Sequence, residues 1–242
     1  MILEIAANSV ASALAAQAGG AGRVELCTAL ELGGLTPSHA QIALARERLR
    51  IPIHVLIRPR AGDFLYSDLE CETMCRDIET CVALGCDGVV LGVLDAEGRV
   101  DSARCRPLLA AAGRLGVTFH RAFDLSRDPA RALEDIVALG CQRILTSGAQ
   151  AGAPEGASLI RELVRQAAGR LAVMPGAGVT ASNIAALAVA TGAHEFHASA
   201  RQQRTSGMQH QRHALAGMAG GELRSSVEQI RALSAALQSA FR

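Results

Sequence analysis

The sequence predicts an α/β fold, a single TIM (β/α)8-type barrel spanning residues 1–242. Two interleaved repeats and the chain length lead to it. The segments AGGAGRVELC (18–27), ALGCDGVVLG (83–92), ALGCQRILTS (138–147) and ATGAHEFHAS (190–199) each read as a helix end, a glycine cap and a short apolar strand. A second series, RLRIPIHVLI (48–57), RLGVTFHRAF (114–123) and RLAVMPGAGV (170–179), falls between them in step. Each period therefore holds two βα units of roughly 25–35 residues. With the N-terminal ILEIAA the count reaches eight strands, and a chain of about 200–250 residues commonly closes into one such barrel. A doubly wound open sheet is the other α/β solution, but it does not call for this even repetition.

The helix starts fit the same frame. Thr36-Pro37, Asp128-Pro129 and Thr180 read as N-caps, two of them with proline at the first helical position. Ser225 with Glu228 reads as a capping box before a last helix ending near Phe241. Residues 201–224 depart from the pattern. They form a polar, glycine-rich insert between the eighth strand and the last helix, read as a loop and a candidate lid.

Composition narrows the function. Lys+Arg number 24 against 23 Asp+Glu, and aromatics make up 2%. There is no basic surplus to neutralise a phosphate backbone and almost nothing on which bases could stack, so nucleic acid is not expected as a partner. Every basic residue is arginine. Without lysine, Schiff-base chemistry and a lysine-anchored pyridoxal cofactor are excluded, and any anion must be held by Arg or by backbone amides. The seven cysteines are an odd number in a chain well stocked with aliphatics, which suits free thiols in a reducing cytoplasm. The long uncharged stretches 5–22 and 171–193 are interrupted by Gly and Asn, so no membrane span is expected.

Strand parity sorts the polar residues. If the apolar alternates face the helices, Glu4, Glu25, Cys27, His54, Arg58, Arg60, Thr118, His120, Glu195, His197 and Ser199 point into the barrel. Glu4, Glu25, Arg58 and His120 are expected to form one polar cluster with catalytic potential, since a histidine beside a carboxylate can move protons. The alternative is that such pairs only fill the barrel interior. The last three strand ends, with Ser147, Gly176, Gly178, Ser199 and Arg201, offer small side chains, exposed amides and one guanidinium, the pattern of an anion site in the loops after the later strands. The plainer use of Gly176 and Gly178 is a tight βα turn. Cys71, Met74, Cys75, Ile78, Cys81 and Val82 trace one helical stripe and are read as core. His210 and His213 with Met208 and Met218 could hold a soft metal, or simply belong to a polar loop.

The motifs AGRVELC, GGLTPS, IRPRAGDFLYSDLE, TFHRAFD, LTSGAQ, GAGV and HASAR resemble the CutC copper-homeostasis family over nearly the whole chain. The resemblance implies a TIM barrel, a cytoplasmic location, a homo-oligomer and a copper(I)-binding role. It maps the family's inward glutamates onto Glu4 and Glu25, its arginines onto Arg58 and Arg60, its histidine onto His120 and its copper ligand onto Cys27. Many members carry cysteine where this chain has Ala6 and Ala7, and copper(I) needs at least two soft ligands, so weak binding is expected. Two functions follow: a copper-handling protein, or an enzyme acting on a small anionic or phosphorylated metabolite at the barrel mouth.

Overall fold

The computed structural model describes residues 1–210 and 220–240. Eight parallel strands form the centre: β1 (Ile2–Ala7), β2 (Arg23–Leu26), β3 (Ile53–Leu56), β4 (Gly88–Leu91), β5 (Gly116–Phe119), β6 (Arg143–Thr146), β7 (Ala172–Pro175) and β8 (Glu195–Ala198). Helices alternate with them: α1 (Val10–Ala18), α2 (His39–Arg48), α3 (Asp68–Ala83), α4 (Ser102–Ala112), α5 (Pro129–Ala138), α6 (Ala157–Ala167), α7 (Ile184–Thr191) and α8 (Val227–Ser239). The hydrogen-bonded order runs β7-β6-β5-β4-β3-β2-β1-β8, so the expected TIM barrel is present and nearly closed. β7 and β8 stand at the two ends of that order, and among the described residues they share no ladder.

The outward-facing alternates, including Leu3, Ile5, Val24, Leu26, Ile53, Val55, Val89, Leu91 and Phe119, pack beneath the helices in one core. Inside the barrel, Cys27, Leu56 and Val90 make a second, small apolar cluster. Within the proposed stripe on α3, Met74, Ile78 and Cys81 are buried and Cys71 and Cys75 pack partly against the core, whereas Val82 is exposed. All seven cysteines are free.

Local chemistry fixes the helix starts, with three corrections to the sequence expectation. Asp128 caps α5 as expected, accepting from the Arg131 amide with Pro129 in the first turn. α2 is capped by Ser38 rather than Thr36, because Ser38 and Gln41 exchange hydrogen bonds as a capping box. α7 is preceded by Asn183 rather than Thr180, and the Thr180 amide instead donates to Asn183 Oδ1 at 2.9 Å. α8 is capped by Ser226, one residue later than expected, through the Gln229 amide.

The insert after β8 is not simply a loop. Its two ends form antiparallel strands, β9 (Arg201–Arg204) and β10 (Glu222–Ser225), paired Ser225 to Arg201 through Glu222 to Arg204. The Asn8 amide group anchors this hairpin by donating to the Leu223 carbonyl at 2.8 Å. The candidate soft ligands His213 and Met218 and the expected helix end at Phe241 lie outside the described residues.

Candidate functional site

The barrel interior is charged from the bottom upward. Arg23, at the start of β2, donates through Nε to Glu4 on β1 and through Nη2 to Glu195 on β8 at 2.6 Å. Arg143 on β6 reaches the same Glu195 oxygen at 2.9 Å. Glu4 is fully buried. Burial alone would raise its carboxyl, but Arg23 and the His197 ring outweigh it and hold Glu4 well below the usual carboxylate range. Glu195 is held down in the same way by Arg23 and Arg143 against burial.

Above this layer, His197 on β8 places Nδ1 2.8 Å from Glu4 Oε1 and 3.9 Å from Glu25 Oε2. Glu25 Oε2 is buried and has no hydrogen-bond partner. Burial pushes its carboxyl up to about 7, with His197 pulling down and Glu4 pushing further up. His197 is raised in turn, because Glu25 and Glu4 more than offset its burial. At 3.9 Å each group favours the charged form of the other. Among the described residues, Glu4, Glu25 and His197 are also a group of three whose ligand atoms lie within 4.8 Å of one another. Both Glu4 oxygens already serve Arg23 and His197, so a cation there would have to displace bonds that are made.

A cavity of about 920 Å³ opens above them at the C-terminal mouth, lined among others by Glu25, His197, Arg58, His120, Gly178 and Arg201. The expected single cluster of Glu4, Glu25, Arg58 and His120 is divided. Glu4 lies beneath the cavity. Arg58 pairs with neither glutamate: its guanidinium donates to the carbonyls of Leu32 (2.9 Å), Gly34 (3.0 Å) and Gly62 (2.7 Å), clamping two loops together beside the Phe64 ring. Arg60 does not point inward; it is partly exposed and bonded to Asp63 and Glu70. β3 ends at Leu56, and the chain has turned outward before residue 60.

The expected anion-binding residues also separate. Ser147 is fully buried, and its amide and hydroxyl both serve Asp124, which takes the place a ligand anion would have there. Gly176 does not offer its amide either, which donates to the Thr146 carbonyl at 2.9 Å. A Cβ at Gly176 would lie 2.5 Å from Leu145 Cδ1 and 3.3 Å from His197 Cβ, so glycine lets β7 close against β8. Gly178, Ser199 and Arg201 do line the cavity. The amides of Gly178 and Val179 and the Arg201 guanidinium have no hydrogen-bond partner among the described residues. Ala177 (φ 70°) and Ala200 (φ 46°) are held in the left-handed region in these same two loops, at roughly 1–2 kcal/mol each.

Cys27 faces the barrel interior but not the cavity. It is fully buried against Leu56 and Val90, and its thiol donates to the Ala7 carbonyl at 3.6 Å. Burial first, and Glu25 second, push the thiol far above its ordinary value. A soft metal needs thiolate, and this environment keeps the proton on sulfur.

Fold and cavity define a TIM-barrel protein with a carboxyl–imidazole pair at the floor of its C-terminal mouth. The CutC family profile matches residues 1–202. The chain belongs to the CutC family. It is 67% identical over 199 residues to a CutC family protein of Xylella fastidiosa, covering 82% of this chain and 74% of that one. Against the CutC family protein of Xanthomonas campestris pv. campestris (strain B100) it is 57% identical over 240 residues, covering 99% and 100%. A solved CutC from Streptococcus agalactiae, described provisionally as a copper homeostasis protein, superposes with a TM-score of 0.78 at 36% identity, covering 81% of this chain and 98% of that one. Thiamine phosphate pyrophosphorylase from Pyrococcus furiosus shares the barrel fold alone, with a TM-score of 0.62 at 13% identity over 100% of this chain and 97% of its own. Among the described residues no helix is long and apolar enough to cross a membrane.

Proposed function

We propose that this protein is an enzyme that binds a small anionic, phosphorylated metabolite at the barrel mouth and moves a proton on it with Glu25 and His197. The observation that carries the proposal is Glu25 Oε2, buried and unpartnered in a residue that lines the cavity beside His197. An orphaned buried oxygen costs stability unless a ligand or water satisfies it, and a carboxyl that titrates near neutrality is suited to general acid–base work. At the rim, the Gly178 and Val179 amides and Arg201 supply donors for the anion. Titration with inorganic phosphate followed by thermal unfolding tests this. Phosphate at millimolar concentration is expected to raise the unfolding midpoint, and Arg201→Ala to weaken the effect about tenfold or more. No shift in the parent protein would end the proposal.

The name of the Streptococcus relative favours copper handling, but the donor set of this chain does not fit copper(I). Cys27 is protonated and packed among apolar side chains, and Ala6 and Ala7 on β1 add no thiol beside it. Competition between the reduced protein and a copper(I) chelator is expected to show weak binding, unchanged in Cys71→Ser. A tight site lost in Cys27→Ser would restore the copper function. A cytoplasmic location and a homo-oligomer belong to the same proposal. The seven free thiols suit a reducing compartment, and fractionation with light scattering would test both.

A further inference from the structure

His120 directly follows β5 and lines the cavity, and its ring is fixed from several sides. Phe64 lies against it with centroids 4.8 Å apart, and Phe119 meets it edge-on at 6.2 Å. Behind it stands Gly92, where a Cβ would come within 2.6 Å of Nδ1. The Ala122 amide donates to Nδ1 at 3.2 Å. A ring nitrogen that accepts an N–H carries a lone pair, so the ring proton of the neutral imidazole sits on Nε2. Nε2 is buried and has no partner. The result is a rigid, buried N–H donor without an acceptor, on a residue that lines the proposed substrate cavity.

We infer that His120 presents its Nε2–H to a carbonyl oxygen of the bound metabolite, so that the substrate is an anionic carbonyl compound that the enzyme enolises. This rests on the proposed acid–base function of Glu25. Ionised Glu25 takes the proton from the carbon next to the carbonyl. The C–H electron pair becomes the carbon–carbon double bond, and the carbonyl π pair moves onto oxygen as an enolate held by Nε2–H. The proton on Glu25 then returns to the same carbon as the oxygen pair re-forms the carbonyl, which completes an exchange of that hydrogen without oxidant or reductant. Burial and the Arg58 guanidinium beside Phe64 push the imidazole down to about 3. It therefore stays neutral across the physiological range, and a neutral imidazole gives a hydrogen bond to an enolate without surrendering its proton. The chain has no lysine, so enolisation through a lysine imine is not open to it.

Two phosphorylated probes test the inference: ethyl phosphate, which carries only the anion, and 2-phosphoglycolate, whose carboxylate mimics an enediolate. The parent is expected to bind 2-phosphoglycolate about tenfold or more tighter. His120→Ala should erase that advantage while leaving ethyl phosphate binding unchanged, and His120→Gln, which keeps an N–H donor, should recover part of it. If ethyl phosphate does not bind, the anion-site proposal and this one both fall. If it binds and 2-phosphoglycolate gains nothing, or keeps its gain in His120→Ala, this inference alone falls. Nitrogen-15 spectra of the parent supply a readout independent of the variants' folding. His120 should show the Nε2–H tautomer unchanged from pH 5 to 8, and an Nδ1–H tautomer or a titration in that range would overturn the inference.

Discussion

Arg23→Met is expected to destabilise the protein by about 3–5 kcal/mol in chemical denaturation at neutral pH. Methionine nearly matches the length of the arginine stem, so the loss is mainly one of charge. Arg23 is 4% exposed and joins two carboxylates, Glu4 on β1 and Glu195 on the neighbouring β8. Its removal strands Glu4, which is fully buried and keeps only His197. Neutralising the stranded group in the double variant Glu4→Gln/Arg23→Met should return most of the lost stability. A double variant no better than Arg23→Met would mean that the arginine acts through packing, not through the buried ion pair.

Glu25→Gln is expected to change the pH dependence of stability rather than simply lower it. The unfolded chain releases the Glu25 proton near the ordinary value of 4.5, while the folded protein holds it to about 7. Between those values the folded state binds more protons, so its stability falls as pH rises. The contribution is fully present below about pH 4.5 and is lost above about pH 7, a change of about 3 kcal/mol. His197, also raised, works in the same sense at higher pH. Relative to the parent, Glu25→Gln should therefore gain about 2–3 kcal/mol on going from pH 4.5 to pH 8. Denaturation midpoints across that range measure it, and parallel curves for the two proteins would show that Glu25 titrates normally.

The barrel was legible because alternation is a local property. In β1, β2 and β8 every second residue is aliphatic or aromatic and outward, which leaves Glu4, Glu25, Glu195 and His197 inward before any tertiary contact is considered. Arg23 and Arg143 escaped because each is the first residue of its strand, where alternation has only begun. Parity counted back from Glu25 would have found Arg23. Partners brought by other loops were not legible. Arg58 meets carbonyls from residues 32, 34 and 62, and Ser147 meets Asp124 from the preceding βα loop, partners that neither strand parity nor strand-end composition reveals. The strand RQQR of β9 has no apolar alternation, because it pairs as an exposed hairpin that needs none.

The seam between β7 and β8 changes what the interior charges are for. In most barrels a backbone ladder completes the ring, and such a ladder responds little to ions or protons. Here Glu195 on β8 is tied to Arg143 on β6, spanning β7, and to Arg23 on β2, spanning β1, so side-chain charge completes the ring where the peptide bonds do not. A closure of that kind is a latch that holds while Glu195 is ionised, and Arg23 and Arg143 favour that form. The same seam separates the loop that carries Gly178 from Arg201 at the start of β9. An anion gripped by both would staple the barrel shut from above. Hydrogen exchange should therefore be fastest along the facing edges of β7 and β8 and should slow there first on anion binding, which makes the seam a built-in reporter of occupancy.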